Sequence, residues 1–447
     1  MLRFRSWRRT LLFVGGLSAL LILLLLAVRF FLPPGRKEGL SERPFSRDRE
    51  MEEFFKSYWR RPIAVQGSPP PTFTAKEASL RPEACGSCHA QQYEDWKKSL
   101  HSRAMGPGPW GQIVDFIQSD PGQAILCMSC HAPLSEQIPL LAEVAAGNEK
   151  TYAKNPHFDS HLQLEGITCA ACHVRQQQRF GPPRAEGASS TTYPAGMPGH
   201  GGAQRTPYFE RAEFCKDCHQ FDPDNSLLLN GKPLQDTYRE WRNSIWGKGE
   251  ASCQECHMPQ RRHLWRGIHD PEWVKGGVRI EVQVKKAPLR PGDSLELAVE
   301  VVNAAVGHKF PTYITPKVFV RATLLDNSGR SLPGTRQEKI IGWDARFEDG
   351  RWKEYFDTRI PPGEKFQETF RWTPPPQAKE IRSWVEVHPD HFYHVHFYPE
   401  FLKSQDLIPK GRKLIEKALQ DSGRTSYILF ERMMPLRNAG IKTDAIR

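Results

Sequence analysis

Cys169-Ala170-Ala171-Cys172-His173 is one of five pentapeptides of the form C-x-x-C-H in a chain of 447 residues. The others are Cys85-Gly86-Ser87-Cys88-His89, Cys127-Met128-Ser129-Cys130-His131, Cys215-Lys216-Asp217-Cys218-His219 and Cys253-Gln254-Glu255-Cys256-His257. Together they consume all ten cysteines. Two thiols three positions apart can each form a thioether to one of the two vinyl groups of a haem. The adjacent histidine then lies under the ring and offers a nitrogen to the iron. A zinc knuckle does not require histidine after every second cysteine, and a thioredoxin-like site would occur once, near a βαβ pattern. A disulfide framework would not repeat one motif with no cysteine left over. The motifs imply five covalently bound haem c groups with His89, His131, His173, His219 and His257 as proximal iron ligands.

Successive first cysteines lie 42, 42, 46 and 38 residues apart, too close for five polypeptide cores. The porphyrins themselves must form the core of a mainly helical and loop domain over 81–273. The chain is longer than one ordinary domain, and its 37 prolines and 34 glycines favour turns over long helices. The formal charge is +11, but five haems would add about ten propionate charges. No basic patch interleaved with aromatic residues supports nucleic-acid binding.

Upstream, Leu11 to Val28 is uncharged and apolar, and Phe30, Phe31 and Leu32 extend it past Arg29. The run is long enough for one membrane span and exceeds the apolar core of a cleaved signal peptide. Arg3, Arg5, Arg8 and Arg9 precede it, which orients the N-terminus to the cytoplasm. We therefore expect a single-pass anchor over 1–33 in the cytoplasmic (inner) membrane, with the haems on the periplasmic or extracytoplasmic side. A polar, proline-punctuated linker or stalk is expected over 34–80, with one helix from Asp48 to Trp59.

Two further patterns concern packing and ligation. Tyr93-x-x-Trp96-x-x-Ser99 follows the first motif and Tyr238-x-x-Trp241-x-x-Ser244 precedes the fifth. At helical spacing each Tyr/Trp pair shares a face that can pack on a haem or in an ordinary core. Two residues past the serine, one copy has His101 and the other Trp246. Besides the five motif histidines the chain has eleven more, enough to fill every sixth coordination position. Bis-histidine ligation suits electron transfer, whereas an iron lacking its sixth ligand can bind and reduce a small molecule.

The stretch Cys85 to Ala104 resembles the opening of the multihaem family that includes the tetrahaem electron-transfer cytochrome of ammonia-oxidising bacteria. Gly166 to His173, Cys253 to Pro259, Arg261 to Asp270 and Val306 to Thr312 are similar to recurring phrases of that family. The resemblance implies that the residue at His101 is a distal ligand to another haem, and that His263, His269 and His308 match recurring histidines. With a fifth motif present, the tetrahaem pairing does not transfer whole. The distal candidates are His101, His263, His308, His161 and His269, with His200 and His157 in reserve. C-x-x-C-K, common at the catalytic haem of ammonia-forming nitrite reductases, does not occur in the chain.

After Trp273 the pattern alternates over Val278–Val284, Ser294–Val302 and Val318–Leu325, with turn signals at Arg290–Asp293 and Asp326–Gly329. This predicts an antiparallel β-sandwich over 274–400, immunoglobulin-like in architecture, whose loop could carry His308 back to an iron. His394 and His396 would share a strand face, open either to a metal or to packing beside a haem. A helix around Arg412–Gln420 and a basic tail complete 401–447. The α+β chain thus reads as a membrane-anchored conduit of electrons between a respiratory donor, such as a quinol-oxidising complex, and a periplasmic or extracellular acceptor. Alternatives are a reductase of a small nitrogen or sulfur compound at one five-coordinate haem, and an accessory subunit of a respiratory assembly.

Overall fold

Eight strands in the C-terminal half form two antiparallel sheets around one apolar core. They are β1 (Val278–Lys286), β2 (Leu295–Asn303), β3 (Lys317–Leu325), β4 (Gln337–Glu348), β5 (Arg351–Asp357), β6 (Lys365–Trp372), β7 (Glu380–His388) and β8 (Tyr427–Pro435). The coordinates are a computed structural model that describes residues 45–144, 150–184, 202–221, 228–288, 290–348 and 351–436. One sheet runs β6-β2-β1 and the other β5-β4-β3-β7-β8, the pairing order of an immunoglobulin-type sandwich without its fourth strand. Inward residues of both sheets, among them Leu295, Leu297, Val299, Val318, Val320, Phe370 and Val385, are fully buried in one cluster.

The tail expectation needs correcting at β8. Where a basic tail is expected, Tyr427–Met434 pairs with β7 and closes the larger sheet. Its alternation of buried Leu429, Phe430 and Met434 with exposed residues is too irregular to read as a strand without its partner, and the register slips at Val385/Glu386. The predicted helix before it spans Pro409–Ser422. It lies on the helix Pro107–Ser119 of the haem-bearing region. Glycine lets the two helices approach closely at this crossing, since a Cβ on Gly111 would come within 2.8 Å of the Ile415 side chain and force it to shift. The segment after β7 therefore serves both regions and is no separate appendage.

A second difference concerns the expected stalk. The helix there spans Phe45–Tyr58, and the residues from Glu53 onward belong to the same compact unit as the motifs. Phe55, Tyr58, Trp59 and Ile63 are buried. Tyr58 Oη donates to the Cys172 carbonyl at 2.8 Å, and the Arg175 guanidinium sits 3.8 Å over its ring. Ile63 exchanges backbone hydrogen bonds with Pro133 and Ser135. The packed part ends near Gln66, and the run Pro69–Pro71 beyond it is exposed. The apolar run Leu11–Val28 lies outside the described residues, and among the described residues no helix is long and apolar enough to cross a membrane.

The motif-bearing region is made of short helices and loops. The C-x-x-C-H sequences lie on the helices Pro82–Gly86, Pro121–His131, Cys169–His173, Glu213–His219 and Cys253–His257 or at their ends. Three of these helices start on side-chain caps: Asp120, Thr168 and Ser252 accept from the backbone N–H groups of Gln123, Ala171 and Glu255. A helical turn brings residues three apart to one side, so the caps present both thiols of a motif together.

Candidate functional site

Each motif histidine must aim one nitrogen at an iron, and for three of them the structure ties the other to a backbone carbonyl. The Nδ1 atoms of His131, His173 and His257 lie 2.7, 2.9 and 2.7 Å from the carbonyls of Ala104, Phe180 and Arg266. Nδ1–H donating to a carbonyl sets the tautomer that leaves Nε2 as the free lone pair. His263 and His308 are tied in the same way, to the Arg261 carbonyl at 3.1 Å and the Lys309 carbonyl at 3.0 Å.

Three motif histidines face a histidine from elsewhere in the chain. His173 and His263 have ring centres 6.1 Å apart, His219 and His101 6.2 Å, and His257 and His308 6.4 Å. With a metal–nitrogen bond of about 2 Å and about 1.1 Å from nitrogen to ring centre, two imidazoles on opposite faces of one iron stand about 6.2 Å apart. The residues present therefore fit three bis-histidine irons.

Electrostatics agree with that fit. Burial pushes His101 down to about 3 and His173 and His219 to about 4, with neighbouring imidazoles adding to the shift. These rings stay neutral, as iron ligands must. Yet none has lost all its accessible surface, and His219 is open on one side. A ring deep in the protein with an open face lines a cleft, and a porphyrin is the group that the neighbouring thiols would hold in it. All ten cysteines are free thiols, which covalent attachment requires.

The thiols also order the motifs. Cys85 is hydrogen-bonded to Cys169, Cys130 to Cys218 and Cys215 to Cys253. Cys172 lies within electrostatic range of both Cys215 and Cys218. The attachment edges therefore run from the first motif to the third, fourth and fifth, and the second motif branches off at the fourth. Arg61, from the expected stalk, sits at that branch and donates to Cys130 Sγ and the Asp217 carbonyl.

Two of the expected distal ligands are placed elsewhere. His161 is exposed, and its backbone N–H is capped by Asp159 Oδ1 in a turn that keeps it at the surface. His269 Nε2 lies 3.1 Å from both carboxylate oxygens of Asp390, which ties that nitrogen to an acid, and among the described residues no motif histidine is shown facing its ring. Of the reserves, His157 is exposed, and His200 lies outside the described residues. His394 and His396 do not share a strand: they lie in the π-helical turn Phe392–Phe397. His394 Nδ1 meets the Leu419 carbonyl and Ser422 Oγ, and no group of side chains able to hold a bare metal ion occurs among the described residues.

The second motif differs from the three opposed sites. Among the described residues no imidazole faces His131, whose ring contact is the Ala104 carbonyl. Two tyrosines, Tyr313 and Tyr393, are hydrogen-bonded to each other and lie within electrostatic range of Cys127. Burial raises Tyr313, and the Tyr313 oxygen beside it, together with burial, raises Tyr393, so both remain protonated donors. Neither stood out in the sequence. The Val306–Thr312 phrase ends one residue before Tyr313, which has a left-handed φ of 69°, and only the fold brings Tyr393 to it.

Paired thiols at thioether spacing, three proximal histidines locked in one tautomer and three opposed imidazole pairs at iron-spanning distance define a multihaem c-type cytochrome with covalently bound haem c. Residues 71–270 match the family model of cytochrome c552, a span that holds all five motifs and stops before the sandwich. "Cytochrome c-552" of Aliarcobacter butzleri (strain RM4018) is 24% identical over 192 residues, 42% of this chain and 36% of that protein. The chain thus matches about a third of that relative's length. A penta-haem cytochrome c552 from Thermochromatium tepidum has a similar fold, with a TM-score of 0.53, 18% identity, and coverage of 80% of this chain and 98% of that one.

Proposed function

We propose that this chain carries five haems and conducts electrons along them, and the observation that carries this reading is the set of three opposed imidazole pairs. Haem c iron cycles between ferric and ferrous states, which is the electron-carrying chemistry of such a chain. The protein's part is to keep both axial ligands in both states. His263 and His308 are held by their own Nδ1 bonds and His101 by burial, so little has to rearrange when an electron arrives or leaves. Close thiols join motif one to three and four to five, and Cys172 lies within electrostatic range of Cys215 and Cys218, so the attachment edges follow one another from the first motif to the fifth. We further propose that the 11–28 run anchors the chain in the cytoplasmic membrane and that a membrane redox complex is the donor; the apolar length and arginine flank support this reading.

The second motif supports a further role at one end of a branch. With tyrosine hydroxyls near it and no opposed imidazole among the described residues, His131 marks the position where a small oxidised nitrogen or sulfur compound could meet an iron and a proton donor. The test is EPR of the oxidised protein with carbon monoxide titration of the reduced protein. Low-spin signals from at least three haems are expected, with carbon monoxide binding at one. If carbon monoxide binds to none, the branch is part of the conduit alone; if it binds to most of the haems, the conduit reading fails.

A further inference from the structure

The two Tyr-x-x-Trp-x-x-Ser helices match far beyond their sequence. Trp96 Nε1 donates to the Ile167 carbonyl at 2.7 Å, and Trp241 Nε1 to the Ala251 carbonyl at 2.9 Å. Each acceptor lies two residues before the first cysteine of a motif. The same two residues donate their N–H groups to the carbonyls of His101 and Trp246, which hold equivalent places after the helix. Ser99 and Ser244 both bond back to their tryptophan's carbonyl at 2.7 Å. Thr168 and Ser252 both cap the motif helix that follows. In one copy the first cysteines of motifs one and three are hydrogen-bonded, and in the other those of motifs four and five. The motif-bearing region therefore contains a two-motif unit twice, with the second motif outside the repeat.

One pair of equivalent residues has a use that this repetition exposes. Immediately before each tryptophan stands an acid, Asp95 in one copy and Glu240 in the other, and both side chains are about 5% exposed. Asp95 takes a two-point hydrogen bond from Arg262, at 2.7 Å each, and the backbone N–H of His263 at 3.1 Å. Glu240 takes Arg359 at 3.1 Å, the backbone N–H of Lys309 at 3.2 Å and the Thr312 hydroxyl at 3.0 Å. Each carboxylate thus grips the loop carrying the histidine that faces its own unit's later motif, His263 opposite His173 and His308 opposite His257. The His263 loop needs gripping. Gln260, Arg261 and Trp265 have left-handed φ values of 55°, 61° and 42°, a conformation that non-glycine residues hold only under constraint.

We propose that Asp95 and Glu240 are positioning residues, one per repeat, that hold His263 and His308 on the irons of the third and fifth motifs. This rests on the ligand reading above, so the experiment separates the two. Asp95→Asn and Asp95→Ala, with Glu240→Gln and Glu240→Ala, are compared with His263→Ala and His308→Ala by EPR and carbon monoxide uptake, and covalent haem content is measured for every variant. Each histidine variant should convert about one haem per chain from low-spin to carbon monoxide-binding. Each acid variant should do the same to the same haem, in part for the amide and more fully for alanine. Asp95→Glu, which installs the other copy's acid, should restore the low-spin signal. If the histidine variants open one haem each while the acid variants, fully haem-loaded, open none, the positioning role is wrong and the ligands stand. If the histidine variants open nothing, the ligand reading itself falls. Should an alanine variant lose haem through misfolding, the isosteric amide decides, and unchanged carbon monoxide uptake there overturns the proposal.

Discussion

Between Val278 and His388 the chain buries its own side chains against one another, sheet on sheet, with Leu295, Leu297, Val299 and Phe370 cut off from solvent. Between Pro82 and Asp270 the helices are short, the motif imidazoles and thiols keep accessible surface, and buried polar groups such as Asp95, Gln137 and Thr168 lie among the apolar ones. An apolar interior stabilises the first region in proportion to the area it removes from water. The second region has a smaller apolar cluster around Trp110, Ile113 and Met128, and its motif imidazoles and thiols line open surfaces that a large flat cofactor would cover. Two neighbouring parts of one chain therefore have different dependences, one on amino-acid packing and the other on covalent haem.

The strongest way to break this contrast is to prevent attachment. In a Cys169→Ala/Cys172→Ala variant, hydrogen exchange should show the helices around motifs one, three and four losing protection while β2, β3 and β7 keep theirs. Undiminished protection around the motifs would show that the polypeptide holds that region by itself. The converse perturbation is Phe370→Ala, which leaves a cavity in the sandwich and should cost about 3–5 kcal/mol. The denaturation midpoint of the strands should fall with no change in the haem spectrum. A spectral change of the same size would mean that the two regions share one core.

Acid should act on the sandwich side through His391. Burial, then the charges of Lys317, His396 and His388, push this imidazole down to about 3. The unfolded chain takes up a proton below about 6.5 while the folded chain refuses it until about 3. Its contribution to stability is therefore present above that window and declines as pH falls through it. His391→Phe should flatten the acid limb of the stability profile, and an unchanged limb would assign the titration to other groups. The smallest effect is expected at the exposed pair Lys365–Glu300, 2.7 Å apart on the sandwich surface. Glu300→Gln should shift stability by no more than about 0.5 kcal/mol, and a larger shift would mean that this face is covered.

Much of the sandwich was legible because its strands alternate in their own sequence. β1, β2 and β3 lie within a residue or two of the expected runs, whereas β8 was not legible, since its partner β7 is about 40 residues away and its own pattern is broken by a bulge. The proximal ligands are written as neighbours of their cysteines. The distal candidates are not: His101, His263 and His308 stand opposite motif histidines because loops from three places fold back, and nothing near His161 or His269 marks them as different. Asp95 and Glu240 could have been noticed as the acid before each repeated tryptophan, but their grip on Arg262 and Arg359 spans more than a hundred residues.

By itself the sequence determined the cofactor chemistry, the number of C-x-x-C-H motifs and the class of the C-terminal region, because thioether spacing and strand alternation are local properties of the chain. Tertiary structure alone decided which imidazole opposes which, that the second motif stands apart beside Tyr313 and Tyr393, and that residues from Glu53 onward belong with the haem-bearing region. Those outcomes depend on distances between groups far apart in the chain, and only the folded packing of loops and helices fixes them.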